Sequence, residues 1–311
     1  MRLAIFGIGA MGCLFGARLS PHADVTLIGH WPEQLDALRR GPLRLERAEG
    51  DATEARLKVV DGARASGGSG TFEAALILTK SGGTEEAARL AADILRPDGV
   101  ALTLQNGIGN WEVIARRVGE ARAAQGVTAA GATMLGPGHV REGGPGSTHL
   151  ATRPAIHLPI EALAMLFEQG GFQTSVVEDV RGLVWGKLAV NAAINPLTAL
   201  LRVPNGALTT SAFARAVMAE AAREVAEVAA AQGIALPFPD AAGRADEVAR
   251  LTAVNHSSML QDALRGAETE IESICGAVVR EGQRLGVPTP TNLLLYRLVK
   301  AMEQGYDVRV S

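Results

Sequence analysis

The segment Trp185–Leu197, WGKLAVNAAINPL, sets one ammonium and two carboxamides, Lys187, Asn191 and Asn195, four residues apart. In an α-helix that spacing stacks the three side chains along one face. An ammonium can hydrogen-bond a carbonyl oxygen and protonate it as negative charge develops there. Carboxamides can both donate and accept hydrogen bonds. Around the stripe, Leu183, Val184, Leu188, Val190 and Ile194 make much of the circumference apolar. A solvent-facing side would carry more Glu, Arg or Gln, and asparagine is a poor interior helix former. The stripe therefore reads either as the wet side of a helix or as the floor of a site. Pro196 disfavours helical geometry at Asn195, so the helix is expected to end or kink there.

A carboxylate supplies a second clue. In AETEIE, residues 267–272, Glu268 and Glu272 share a face with Gly276 and Arg280, which reads as solvent side. Glu270 instead shares its face with Ala267, Ile274 and Ala277 of a helix expected over 267–285. A carboxylate on an apolar face needs a partner, and Lys187 is the candidate, directly or through a ligand. Ser258 stands three residues before Gln261, a capping-box spacing that offers it a structural role instead of a ligand role.

Gly7-Ile8-Gly9-Ala10-Met11-Gly12 is G-x-G-x-x-G, directly after the apolar strand RLAIF and opening a helix over Gly12–Leu19. The first glycine permits a tight turn, and the second lets the backbone approach a pyrophosphate. The third allows close helix–strand packing, with the helix N-terminus toward the phosphates. In a βαβ setting this is a dinucleotide fingerprint. The next strand, Val25–Ile28, ends in Gly29-His30-Trp31 with no carboxylate for a ribose diol. Gly29 leaves room for a 2′-phosphate that His30 could meet, though His30 reads equally well as a loop histidine. Strands are also expected over Ala74–Leu78 and Val100–Leu104, around a helical stretch Glu85–Ile94. Asn106 and Lys80 follow these two strands, at the sheet edge where ligands of doubly wound folds bind. An Asn-Gly turn and a surface lysine are their alternatives. Asp61–Gly70 is expected to be a surface loop and Gly136–Gly146 a glycine-rich hairpin.

Strands alternating with helices give an α/β domain with a doubly wound, mostly parallel sheet. After Glu178 the pattern turns helical, over about 180–195, 210–232, 239–252, 267–285 and 290–304, with Asp179 as a candidate N-cap. The expected domains are 1–178 and 179–311. Composition sets outer bounds: 47% hydrophobic and 20% charged residues with a net charge of −3 argue against a nucleic-acid partner. Cys13 and Cys275 sit in apolar contexts without metal-ligand spacing, so reduced core thiols and no metal site are expected. The glycines at 7, 9, 12 and 16 interrupt the N-terminal apolar run, which argues against a signal peptide, and no stretch suits a membrane helix. A cytoplasmic, soluble chain with its N-terminus intact is expected. The apolar C-terminal helices leave internal packing and a homodimer both open.

At these residues the sequence resembles the ketopantoate reductase (2-dehydropantoate 2-reductase) family over nearly its whole length. The resemblance is carried by GIGAMG, LQNGIGN, KLAVNAAINPLTAL, VPNGAL and SSMLQDALRGAETEIESICG, in that order. It implies a Rossmann domain followed by an all-α domain of the 6-phosphogluconate dehydrogenase C-terminal type, with the active site in the cleft between them. It further implies Lys187 as general acid and Glu270 as the carboxylate organising the site. Asn191, Asn195, Asn205 and Ser258 would hold the substrate. Gly7, Ile8, Gly9, Ala10, Met11, Gly12, His30, Lys80 and Asn106 would meet the cofactor, NADP(H). Two departures stand out: the family often has Arg where this chain has His30, and Gln where it has Gly83. The expected reaction is reduction of a small 2-oxo acid, ketopantoate to pantoate on the route to coenzyme A. A different oxo acid or an imine remains an alternative, as does a regulatory protein that senses a dinucleotide without chemistry.

Overall fold

The structure, a computed structural model, describes residues 1–47, 50–63, 70–144, 146–152 and 160–308. The chain forms two compact units, one of Met1–Gln105 with Asn110–Val180, the other of Asn106–Gly109 with Arg181–Ser311.

The first unit contains β1 (Arg2–Phe6), α1 (Ala10–Leu19), β2 (Asp24–Gly29), α2 (Pro32–Arg40), β3 (Leu43–Glu46), β4 (Ala52–Ala55), β5 (Lys58–Asp61) and β6 (Phe72–Ile77). It continues through α3 (Thr84–Ile94), β7 (Leu95–Thr103), α4 (Asn110–Val118), β8 (Ala123–Thr128), β9 (Ala132–Gly136), β10 (His139–Glu142), β11 (Thr148–Ala151), α5 (Ile160–Gln169) and β12 (Thr174–Val177). The main sheet runs β12-β11-β8-β7-β6-β1-β2-β5. Its strands are parallel from β8 to β5, and only the β8–β11 pairing is antiparallel. Central strands read as apolar runs, Leu3–Phe6 and Ala74–Ile77, because both faces are covered. On one face α3 and α4 close over Ala4, Phe6, Ala75 and Ile77. On the other, α1 and α5 bring Phe15, Phe167 and Phe172 together, with Phe15 and Phe172 stacked at 4.1 Å.

A hairpin does form here, but over residues 132–142 as β9–β10, four residues earlier than the expected Gly136–Gly146, and it joins a second sheet, β4-β3-β10-β9, that the sequence did not reveal. These strands are only four or five residues long, too short for an alternation to stand out. Of the Asp61–Gly70 loop, Asp61 ends β5, and 64–69 lie outside the described residues.

The second unit is helical: α6 (Arg181–Leu201), α7 (Ala207–Thr210), α8 (Ala212–Ala231), α9 (Ala241–Leu251), α10 (Ser258–Leu264), α11 (Ala277–Leu285) and α12 (Pro290–Gln304). Its core is rich in alanine, with Ala189, Ala192, Ala193 and Ala199 of α6 buried alongside Ala214, Ala221, Ala222 and Ala229 of α8. Helix α6 does not stop at Pro196, contrary to expectation. Proline removes the donor that would reach the Ala192 carbonyl, and the Cys275 thiol lies 4.0 Å from that oxygen. Burial of Ala192, Pro196 and Leu197 holds the turn together. Residues 267–271 are also not helical. A π-helical turn, Glu272–Gly276, leads into α11, with Gly276 N bonded to Ile271 O at 2.9 Å.

Buried Glu224 of α8 caps the N-terminus of α12. Its carboxylate accepts from Thr291 N (2.7 Å), Asn292 N (2.9 Å) and Asn292 Nδ2 (2.7 Å). A negative charge at that helix end also meets the positive pole of the helix dipole. Glu224→Ala strips two buried donors and one half-buried donor of their acceptor and should lower stability by about 2–4 kcal/mol. Urea unfolding of the two proteins checks this.

Candidate active site

In the first unit the glycine motif lies at the point where strand order reverses, between β1 and β6. Gly7 N donates to Ile28 O and Leu78 N to Phe6 O, both at 2.8 Å, so the loops leaving the strands are tied together. Gly7 has φ +108°, and a Cβ there would stand 2.7 Å from Leu78 O. A Cβ on Gly12 would lie 1.8 Å from Gly7 O, whereas one on Gly9 would meet nothing within 4 Å. Two glycines thus allow the turn to close, and the exposed one leaves open space before the N-terminus of α1, which starts at Ala10 and has no side-chain cap. A pyrophosphate fits that cradle. Lys80 is exposed, just beyond β6. Gln105 Nε2 donates to Thr79 O (2.8 Å) and Thr84 Oγ1 (2.9 Å), fixing the loop that carries Lys80.

The side-chain direction of Gly29 is filled, since a Cβ there would lie 2.6 Å from the Ile8 side chain. Gly29 is small so that buried Ile8 can pack. His30 is exposed, with Nδ1 3.4 Å from Asp61 Oδ1.

In the second unit Lys187, Asn191 and Asn195 share one face of α6. Lys187 and Asn191 are half-buried and Asn195 is buried. Desolvation lowers the Lys187 pKa from 10.5 to about 8, and the negative charge of Glu270 resists the fall. Glu270 comes to this lysine by another route than expected. It precedes the π turn instead of lying on the apolar face of a long helix, and its carbonyl accepts Ile274 N at 3.1 Å. Asn106 Nδ2 donates to Glu270 Oε2 at 2.9 Å. Gly107, at φ +81°, lets this segment press on the π turn, where a Cβ would stand 2.2 Å from Ser273 O. The Asn106-Gly107 turn is therefore both a turn and a positioning device for the carboxylate.

The remaining asparagine and serine divide their roles. Asn205 is buried, with Nδ2 donating to Thr252 Oγ1 at 2.9 Å, and its Oδ1 has no partner among the described residues. The cap of α10 is Ser257, not Ser258: Ser257 Oγ accepts Leu260 N at 3.0 Å and meets Thr198 Oγ1 of α6 at 2.7 Å. Ser258 is thereby left exposed one residue on. Ser257 and Asp61 escaped sequence reasoning. The first is one residue from a plausible cap, and the second arrives from a strand far along the chain.

Among the described residues no group of His, Cys, Asp and Glu could hold a metal ion, and no helix is long and apolar enough to cross a membrane. Cys13 and Cys275 are free and buried, and burial pushes the Cys13 thiol up to about 12.

A glycine cradle at the reversal point of a doubly wound sheet marks the dinucleotide-binding class. Comparison with known proteins narrows it. Residues 3–155 match the family model described as ketopantoate reductase PanE/ApbA, and residues 179–303 match its C-terminal counterpart. The 2-dehydropantoate 2-reductase of Archaeoglobus fulgidus is 35% identical over 306 residues, covering 98% of each chain. That of Halobacterium salinarum is 36% identical over 309 residues, covering 98% of this chain and 99% of the relative. Among solved structures, a ketopantoate reductase of Ralstonia eutropha JMP134 superposes with a TM-score of 0.88 at 31% identity, over 99% of this chain and 100% of that one. D-mandelate dehydrogenase with NADH and anilino(oxo)acetate gives 0.92 at 28% identity, over 99% and 100%. The chain belongs to the ketopantoate reductase family and is an NADP-dependent oxidoreductase.

The Lys187–Glu270 coupling has a readable sign. Glu270 favours the ammonium, so Glu270→Gln should move the Lys187 pKa further below 8. The alkaline limb of the pH profile of reductive kcat/KM should then shift to lower pH than in the unsubstituted enzyme.

Proposed function

We propose that this chain reduces a 2-oxo acid to the 2-hydroxy acid with NADPH, and that the acid is ketopantoate, giving pantoate. The carrying observation is a lysine desolvated to a pKa of about 8, beside Glu270 and in line with two asparagines. The names of the relatives supply the substrate. The cradle Gly7–Gly12, with Lys80, would hold the dinucleotide, whose bound nicotinamide supplies hydride to the carbonyl carbon. The chain's own residues handle the oxygen. Negative charge gathers there, and the Lys187 ammonium stabilises it and then gives up a proton.

With a pKa of about 8 the lysine is about nine-tenths protonated at pH 7, yet gives its proton more readily than an exposed ammonium. Glu270, held by Asn106, keeps enough cation present for the role. Asn191 and Asn195 would bind the carboxylate and hydroxyl of the substrate as neutral donors, and Asn205 and Ser258 would complete its surroundings. The D-mandelate dehydrogenase likeness supports a second reading, in which the acid carries an aryl group.

Cofactor oxidation by the purified protein over a panel of 2-oxo acids decides between them. Ketopantoate is expected to give the highest kcat/KM, and a preference for an aryl oxo acid favours the second reading. Lys187→Ala should lower kcat by about 10²–10⁴-fold while leaving NADPH affinity unchanged. Undiminished turnover would remove Lys187 from the mechanism.

A further inference from the structure

The tip of β2 lacks an acidic residue of its own, but the fold brings one from elsewhere. In register, Gly29 pairs with Asp61, the last residue of β5. Asp61 Oδ1 accepts Ala63 N at 3.1 Å and lies 3.4 Å from His30 Nδ1, and Oδ2 has no protein partner among the described residues. The His30 ring is seated over Gly62, where a Cβ would stand 2.2 Å from Cε1. Among the described residues the His30 ring therefore lies beside a carboxylate, and the side-chain direction of Gly29 is filled by Ile8.

In a Rossmann domain the acidic residue at the end of the second strand accepts the 2′-hydroxyl of the adenosine ribose, whereas a cation there receives a 2′-phosphate. We propose that Asp61 fills the acidic role from the neighbouring strand, as the residue that sets dinucleotide specificity, so that the enzyme takes NADH as well as NADPH. The carboxylate accepts the ribose 2′-hydroxyl of NADH through its unoccupied oxygen. Toward NADPH it repels the 2′-phosphate and engages the His30 ring. This inference rests on the reading that the Gly7–Gly12 cradle binds a nicotinamide dinucleotide.

The test is the dissociation constant of NADH and of NADPH, measured by titration calorimetry on the full chain and on Asp61→Asn. In the unsubstituted protein the two constants should lie within about tenfold, and Asp61→Asn should tighten NADPH and weaken NADH, changing their ratio by about tenfold or more. Asp61→Ala should move the ratio the same way, and unchanged thermal melting certifies that each variant is folded. Binding of both cofactors with a ratio indifferent to residue 61 overturns the inference and spares the dinucleotide reading. Failure of the unsubstituted protein to bind either cofactor overturns both.

Discussion

Everything assigned to the helical unit depends on one unfavourable placement: an ammonium held where water is scarce. Taking Lys187 from a pKa of 10.5 to about 8 disfavours its charged form by on the order of 3 kcal/mol. Because the folded pKa lies below the unfolded one, that cost is present in full below about pH 8 and fades as pH rises toward 10.5. A leucine at this position would avoid it. Glu270 offsets part of the cost, and the surrounding construction serves to keep Glu270 in place. Asn106 donates to it, Gly107 allows that segment to touch Ser273, and the π turn starts just beyond it. A π turn is uncommon and tends to mark functional positions. Here it replaces the regular helix that would have aimed residue 270 differently.

The cradle in the first unit obeys the opposite logic. It works by absence of side chains, with Gly7 and Gly12 closing the backbone on itself and Gly9 left open. No charge is stored there, and the anion would be met by backbone N–H groups at the start of α1. The two units thus divide the labour of an oxidoreductase: one binds by shape and dipole, the other holds a proton at a tuned acidity.

How much of this the sequence disclosed follows from the range of the interactions. The glycine motif, the parallel strands and the shared face of Lys187, Asn191 and Asn195 are local patterns, and local patterns survive in a string of letters. The stripe also proved to be on a helix whose other residues are largely buried, as its apolar neighbours implied. Features set by tertiary contacts were hidden. Pro196 argued for a helix end, but the packing of α6 overrode it. Glu270 was rightly linked to Lys187 for a wrong local reason, since the 267–271 segment is not helical. The packing of Ile8 against Gly29 is not announced by the glycine itself, and Asp61 reaches the same edge only through the β2–β5 pairing. Nothing in the spacing of residues 29 and 61 announces that they are neighbours.

The mechanism rests on the acidity of the Lys187 ammonium, raised by burial and restrained by Glu270. Nuclear magnetic resonance titration of the lysine side chains measures it directly, because the chain has only Lys58, Lys80, Lys187 and Lys300, and Lys187→Met assigns the signal. One lysine signal should titrate near 8 and be absent from Lys187→Met. A Lys187 signal at the ordinary value near 10.5 would rule out a lysine tuned by burial.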